Sequence, residues 1–119
     1  MGSGDDAAVV RARPLAVTST DAMVDGVHFR LGETASAADA GHRALAGALS
    51  DLAAMGADPG EAYVVLGVPP GFERPDAIAL ADAMSALARR FGVARAGGDI
   101  SSAPALTLAV TVVGWDDEP

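Results

Sequence analysis

The order of apolar and polar positions along the chain predicts five strands and two helices. Short runs rich in Val, Leu and Thr predict strands, and apolar residues recurring every three or four positions predict helices. The predicted elements, in order, are strands at 7–13 and 15–20, a helix at 38–55, a strand at 61–68, a helix at 75–91, and strands at 93–96 and 106–115. Residues 21–31 are predicted to form a loop or an irregular strand. This β-β-α-β-α-β-β order predicts an α+β fold whose sheet carries both helices on one face.

Residues at the ends of the two predicted helices support their boundaries. Ser36 suits the N-cap of the first helix, and Asp39 suits its first turn, where a negative charge is favoured. Gly56 is the predicted C-cap of the same helix. Pro75 suits the first turn of the second helix, and Gly92 is predicted to end it. Each helix therefore has a predicted start and a predicted end.

The composition is that of one small acidic domain spanning residues 1–119, with a formal net charge of −8 and 50% apolar residues. An acidic chain binds nucleic acid poorly, because phosphate contacts need basic groups. No stretch approaches the roughly 20 apolar residues of a membrane span, and the N-terminus lacks the pattern of a signal peptide. The cytoplasm is therefore the expected location.

The chain has no lysine and no cysteine, and each absence excludes a class of site. All eight basic residues are arginines. Without lysine, the chain can form neither a P-loop nor the usual protein-kinase site. Without cysteine, it can form neither disulfides nor thiolate metal sites. Any nucleotide chemistry must therefore rely on metal ions and arginine.

Four acidic sites are predicted at the ends of strands or helices, where their carboxylates could converge. They are Asp5-Asp6, Asp21, Asp51 and Asp99. Converging carboxylates repel one another unless a cation lies between them. Carboxylate and hydroxyl oxygens are also the ligands that Mg²⁺ takes in proteins. The pattern therefore favours a Mg²⁺ site that also holds a phosphate ligand.

Asp51 is the most informative of these acids. It lies one turn before the end of its predicted helix, where the helix dipole disfavours a negative charge by roughly 0.3–1 kcal/mol. Its helix face carries Ala44, Gly47, Ala48 and Met55, with no cationic partner four residues away. These small neighbours favour a buried acid that a bound cation stabilises. The alternative is that Asp51 points to solvent.

Each of the other motifs has both a functional and a structural interpretation. Asp5-Asp6 and Gly97-Gly98-Asp99 can lie beside a ligand or form ordinary turns. Ser19-Thr20-Asp21 can ligate a cation or form a helix cap or Asx turn. His28 can bind a substrate phosphate or pack within its loop.

Taken together, the motifs resemble a known family. They are Gly-Asp-Asp-Ala-Ala at 4–8, Ser-Thr-Asp at 19–21, Gly-Val-His-Phe at 26–29, Leu-Ser-Asp-Leu-Ala-Ala-Met-Gly-Ala-Asp-Pro at 49–59, and Gly-Gly-Asp at 97–99. This string resembles the N-terminal domain of thiamine-monophosphate kinases, which belong to the aminoimidazole ribonucleotide (AIR) synthetase-like superfamily. The resemblance covers nearly the whole chain, and the stretch at 49–59 is its most specific part.

The resemblance implies an α+β domain that forms a homodimer through its sheet, with two sheets closing into a barrel. It implies phosphorylation of thiamine monophosphate by ATP to give thiamine diphosphate. It also implies ligands for several Mg²⁺ ions: Asp6, Ser19, Thr20, Asp21, Asp51 and Asp99. Gly98 and Asp99 would lie at the ATP phosphates, and His28 would contact thiamine monophosphate. No catalytic base is expected, because the acceptor is already a phosphate oxygen.

The chain departs from the family pattern in ways that keep other functions open. The family has a short helix before the Gly-Asp-Asp motif and a C-terminal domain that completes the site. The usual Thr-Arg after Gly-Gly-Asp here reads Ile-Ser, at 100–101. We therefore expect a fragment that is inactive alone. One alternative is another enzyme of the superfamily, such as a selenophosphate synthetase, a hydrogenase-maturation protein or a purine-synthesis ligase. The other is a non-catalytic dimeric interaction domain.

Overall fold

Residues 8–117 form a four-stranded sheet and two helices in this computed structural model, which describes that part of the chain. The elements are β1 (Leu15–Val24), α1 (Ala37–Ala54), β2 (Asp58–Val68), α2 (Arg74–Phe91), β3 (Ala94–Ser102) and β4 (Thr107–Asp116). Neither helix within 8–117 is long and apolar enough to cross a membrane. The helix boundaries agree with the predicted ones to within a residue.

The sheet is mixed, with the strand order β1-β4-β2-β3. Strand β4 runs antiparallel to both β1 and β2, whereas β2 and β3 are parallel and are joined by α2. Both helices cover the same face, where Leu108, Val110 and Val112 of β4 are buried beneath them. This arrangement confirms the predicted α+β class with its helices on one face.

The strands depart from the prediction more than the helices do. Residues 8–14 form no strand, and residue 7 lies outside the described residues, so the predicted first strand is wrong over its described part. Arg13 instead ties this segment to the sheet through ion pairs with Asp58 and Asp117, each 3.0 Å long. The Arg13 guanidinium also holds the pKa of the Asp117 carboxyl below its ordinary value.

Strands β1 and β3 extend beyond their predicted ends. Strand β1 continues to Val24, and β3 continues through Gly97-Gly98-Asp99 to Ser102. Asp21 and Asp99 therefore lie within strands, and their predicted placement at element ends is wrong. The reason is tertiary, because ladder hydrogen bonds with β4 and β2 extend these strands past the positions where the local sequence favours a strand.

The helix ends follow the local sequence closely. The Ser36 Oγ accepts from the Asp39 backbone N–H at 3.1 Å, and the Asp39 carboxylate accepts from the Ser36 backbone N–H at 3.0 Å. This reciprocal capping box holds the pKa of Asp39 below its ordinary value. Gly92 ends α2 with φ 68°, as predicted, whereas the C-cap of α1 is Met55, one residue before Gly56.

Small side chains on α1 bring it close to its neighbours. Ala40, Gly41, Ala44 and Ala48 are all buried on this helix. A Cβ added at Gly41 would lie 2.6 Å from the backbone oxygen of Leu80 on α2. The two helices therefore touch at the distance that glycine permits, and this contact fixes where α1 lies over the sheet.

The other face of the sheet carries no helix among the described residues. Tyr63 and Trp115 lie on this face, and Val65 is 48% exposed there. Glu61 is only 5% exposed and accepts a hydrogen bond from the Trp115 Nε1 at 3.2 Å. This buried acid was not anticipated from the sequence, and burial together with the charge of Glu61 raises the pKa of the Tyr63 hydroxyl.

Two glycines in α1 give a matched test of this packing. Gly47→Ala should raise the free energy of unfolding by about 0.5–1 kcal/mol, because alanine favours helix and the new Cβ makes only an ordinary 3.4 Å contact with Asp21. Gly41→Ala should lower it by about 1–3 kcal/mol, because its Cβ would overlap Leu80. Urea unfolding followed by circular dichroism measures both changes, and a Gly41→Ala variant as stable as Gly47→Ala would contradict the packing.

Candidate functional site

Two of the predicted motifs meet where β1 packs against α1. The Ser19 Oγ donates a hydrogen bond to the Asp51 Oδ2 at 2.8 Å, joining residues 32 positions apart in sequence. Ser19 points towards the helices because alternate residues of β1 face them, and Asp51 lies in the last turns of α1. We call the line formed by Ser19, Asp21, Gly47 and Asp51 the β1–α1 seam.

Asp21 lies on the same seam, one helix turn away. It faces the helices like Ser19, because the two residues are two positions apart on one strand. A Cβ added at Gly47 would lie 3.4 Å from the Asp21 Oδ2, so this carboxylate lies against α1. Gly47 and Asp51 are four residues apart, which is about 6 Å along the helix axis. The seam therefore brings two carboxylates and one hydroxyl together from separate motifs.

Asp51 is exposed, so the predicted buried acid is wrong. Strand β1 is the edge strand of the sheet, and the seam beside it opens to solvent. Water therefore solvates the carboxylate, and Ser19 supplies a hydrogen bond. Burial gives no reason for a cation here, but the exposed oxygens remain accessible to one.

The remaining predicted metal ligands do not join the seam. Thr20 faces the opposite side of the sheet, where its Oγ1 shares a 2.9 Å hydrogen bond with the Thr111 Oγ1. Asp99 lies on β3, at the other edge of the sheet from β1, and accepts from the Ser101 Oγ at 3.2 Å. Asp6 lies outside the described residues. Within 8–117, no three acidic or histidine side chains are grouped to hold a metal ion.

A cavity of about 810 Å³ lies between α2 and the β2–β3 edge of the sheet. Leu80 and Met84 line its apolar side, and Gly98 and Asp99 line it from β3. Arg95 also lines this cavity, and its Nη1 donates to the Ser85 Oγ at 2.6 Å. Arg95 was not among the predicted site residues, although it lies two residues before Gly-Gly-Asp.

The Gly97-Gly98 pair has a structural cause within the sheet. Gly98 has φ 155°, and a Cβ there would lie 1.9 Å from the Val64 backbone oxygen. A Cβ at Gly97 would lie 3.2 Å from the Tyr63 ring. Side chains at either position would therefore meet β2, next to the register shift between Ala62 and Tyr63. Of the two interpretations of this motif, the ordinary turn is wrong, because the glycines lie within β3. Packing against β2 explains both glycines without a ligand.

His28 lies in the turn that follows β1. Its Nδ1 accepts a hydrogen bond from the Val24 backbone N–H at 2.9 Å. The neutral ring therefore carries its proton on Nε2, which is the atom free to donate to a ligand. With Arg30 and Thr34 it lines a recess of about 240 Å³. This recess shares no residue with the 810 Å³ cavity between α2 and the β2–β3 edge.

Comparison with known proteins gives consistent matches. Residues 4–115 match the family described as AIR synthase related protein, N-terminal domain. A thiamine-monophosphate kinase of Rhodopirellula baltica is 37% identical over an aligned length of 129 residues. The alignment covers 100% of this chain and 40% of that protein. This chain therefore spans about two fifths of the length of that curated relative.

Solved structures share the fold. The crystal structure of thiamine-monophosphate kinase from Stenotrophomonas maltophilia K279a has a TM-score of 0.85 at 39% identity, covering 96% of this chain and 35% of that one. A structure of AaThiL complexed with AMPPCP and TMP has a TM-score of 0.76 at 26% identity. It covers 83% of this chain and 31% of that one. The four-stranded sheet and its two helices are therefore shared with these proteins.

Proposed function

This chain belongs to the AIR synthase related protein family, and from that premise we propose that it supplies the N-terminal domain of a thiamine-monophosphate kinase. The proposed reaction transfers a phosphoryl group from ATP to thiamine monophosphate, giving thiamine diphosphate. The observation that carries the proposal is the β1–α1 seam, where Ser19 and Asp51 of two separate motifs are in contact. The AaThiL complex with AMPPCP and TMP supports the choice of substrates.

The seam fits Mg²⁺ by the chemistry of its donors. Asp21, Asp51 and Ser19 offer oxygen atoms from two elements, and both acids are exposed. Mg²⁺ usually takes one or two carboxylates and completes its shell with water and substrate phosphate, so three acids are not needed. Bound Mg²⁺ would supply positive charge to a substrate phosphate beside β1, at the opposite edge of the sheet from Gly98 and Asp99. Thr20 and Asp99 do not fit this same site.

The ATP phosphates belong, in this proposal, beside Gly98 and Asp99. The cavity that these residues line, about 810 Å³, is within the size range of small-molecule sites. Its apolar wall at Leu80 and Met84 suits a base, and Arg95 offers a cation for the phosphates. This arrangement uses arginine where the chain has no lysine.

Within the same proposal, His28 contacts thiamine monophosphate by donating from Nε2. The Val24 N–H occupies its Nδ1, so the donor is fixed on the side of the ring away from the backbone. The residues of this chain bind and orient the phosphates, and none is assigned as a base. Thiamine monophosphate already offers an anionic oxygen as the nucleophile. ATP as a substrate fits a cytoplasmic protein.

A chimera tests this function while supplying the region of the relatives that this chain does not match. Residues 1–119 should replace the matching segment of the Stenotrophomonas maltophilia kinase, and chromatography should follow ATP-dependent formation of thiamine diphosphate. We expect turnover in the chimera. Asp51→Asn should reduce kcat at least about 100-fold, because one oxygen ligand loses its charge.

Asp82→Asn is the matched control, because Asp82 is also an exposed helical aspartate but lies on α2, outside the proposed site. It should leave kcat within about twofold, as expected of a surface substitution. A folded chimera that acts only on another phosphate acceptor would assign the chain to a different enzyme of the family. A folded, dimeric chimera without ATP turnover would favour the non-catalytic interaction domain.

We also propose that the chain forms a homodimer through the uncovered face of its sheet. Tyr63, Val65 and Trp115 present apolar surface there, and no described helix covers it. A second copy would bury this surface from water, which favours association. The Glu61 carboxylate on this face accepts a hydrogen bond from the Trp115 Nε1. It would therefore keep a hydrogen-bond partner when a second copy covers the face.

Light scattering after size-exclusion chromatography tests the dimer. The wild-type chain should have twice the monomer mass, and Val65→Lys should shift it to the monomer mass by placing a charge in the interface. Ile78→Lys is the matched control, since Ile78 is 49% exposed on α2 and Val65 is 48% exposed. A monomeric wild type at high concentration, or equal dissociation in both variants, would exclude this interface.

A further inference from the structure

A second recess lies on the side of α1 opposite the β1–α1 seam. It has a volume of about 510 Å³ and lies between the C-terminal halves of α1 and α2, with the start of β2 at one end. We call it the α1–α2 groove. Ala46, Leu49 and Ala53 line it from α1, roughly half a helix turn away from Gly47 and Asp51. It therefore shares no residue with the site proposed for phosphoryl transfer.

The walls of the groove are mostly apolar. Leu49 and Leu87 form its buried floor, with exposures of 7% and 5%. Phe91 lies at its mouth and is 51% exposed, which is unusual for so large an apolar ring. Three elements enclose the recess, so it can surround a small apolar body on several sides.

The groove is lined by a basic group and by no acidic side chain. Arg90 is the charged side chain among the residues that line it, and His42 adds a ring that can form hydrogen bonds. The Arg90 guanidinium lies 5.7 Å from the centroid of the Phe91 ring, which places a cation at the edge of the apolar mouth. This local positive charge stands out in a chain with a net charge of −8.

We propose that the α1–α2 groove binds a small amphiphilic anion, with an alkyl or aromatic body and one carboxylate. The body would lie against Leu49, Leu87 and Phe91, and the carboxylate would face Arg90 and His42. The volume falls within the roughly 300–1,000 Å³ of small-molecule sites. This inference is independent of the proposed kinase function, because the groove lies on the other side of α1.

Charge complementarity and shape favour this occupant over a second copy of the chain. The Arg90 guanidinium at the mouth of the groove complements a carboxylate. A protein partner also needs about 800 Å² of contact on each side, which suits a broad face better than an enclosed recess. A small anion can reach the basic rim and also fit within the recess.

Decanoate is a suitable probe, used below its micelle-forming concentration with the 119-residue chain. Amide chemical shifts in ¹⁵N-labelled protein should change saturably, with one equivalent bound, at Leu49, Ala53, Leu87 and Phe91. Decanol and decyltrimethylammonium, with the same alkyl chain but no negative charge, should bind about two- to fivefold more weakly. Arg90→Gln should weaken decanoate binding by a similar factor, the range for one exposed ion pair.

Arg89→Gln is the matched control, because it removes the same charge from the neighbouring helix position without lining the groove. It should change decanoate affinity by less than twofold, and both variants should keep the wild-type melting temperature within a few degrees. Equal weakening by Arg89→Gln and Arg90→Gln, equal binding of all three probes, or no saturable shifts would overturn the proposal. Self-association that Phe91→Ser abolishes would assign the groove to a second copy and would also overturn it.

Discussion

The close packing of α1 through small side chains fixes the positions of its neighbours and of both candidate sites. Ala40, Ala44 and Ala48 let the helix approach the sheet, and Gly41 lets it touch the backbone of α2 at Leu80. Because the helix lies so near the sheet, the short side chain of Ser19 reaches Asp51 directly. Bulkier side chains on this face of α1 would move the helix away from β1, and Ser19 would no longer reach Asp51.

In this position, α1 lines a candidate site on each of two sides. One side faces β1 at an edge of the sheet, where oxygen-bearing side chains meet in reach of solvent. The other side faces α2, where leucines form the floor of an apolar recess with a basic rim. The two candidate sites thus have opposite chemistry, because the residues lining each lie on opposite sides of one helix.

Sequence reasoning succeeded where the signal is local. The helix ends are set by contacts between near neighbours in sequence, so the roles of Ser36, Asp39 and Gly92 could be predicted. Strand lengths could not be predicted from the local sequence, because they depend on pairing with distant residues. Strand β1, for example, pairs with β4 about 90 residues away. That pairing places Asp21 within a strand, where the local pattern predicted a strand end.

The site was predictable only in part, for the same reason. The resemblance named Ser19, Asp21 and Asp51 together, and the structure brings them to one seam. The exposure of Asp51 depends on β1 being an edge strand, and the separation of Asp99 depends on the order β1-β4-β2-β3. The periodicity of apolar residues predicts neither the edge position of β1 nor the order of the strands. The contact between Glu61 and Trp115 likewise joins residues 54 positions apart, and no motif indicated it.

If the β1–α1 seam binds a divalent cation, Mn²⁺ substituted for Mg²⁺ should reveal it. Paramagnetic broadening of amide signals in the ¹⁵N-labelled chain should centre on Ser19, Asp21 and Asp51. The broadening should be lost in Asp51→Asn and kept in Asp82→Asn. Broadening centred elsewhere in the chain, or unchanged by Asp51→Asn, would contradict the account.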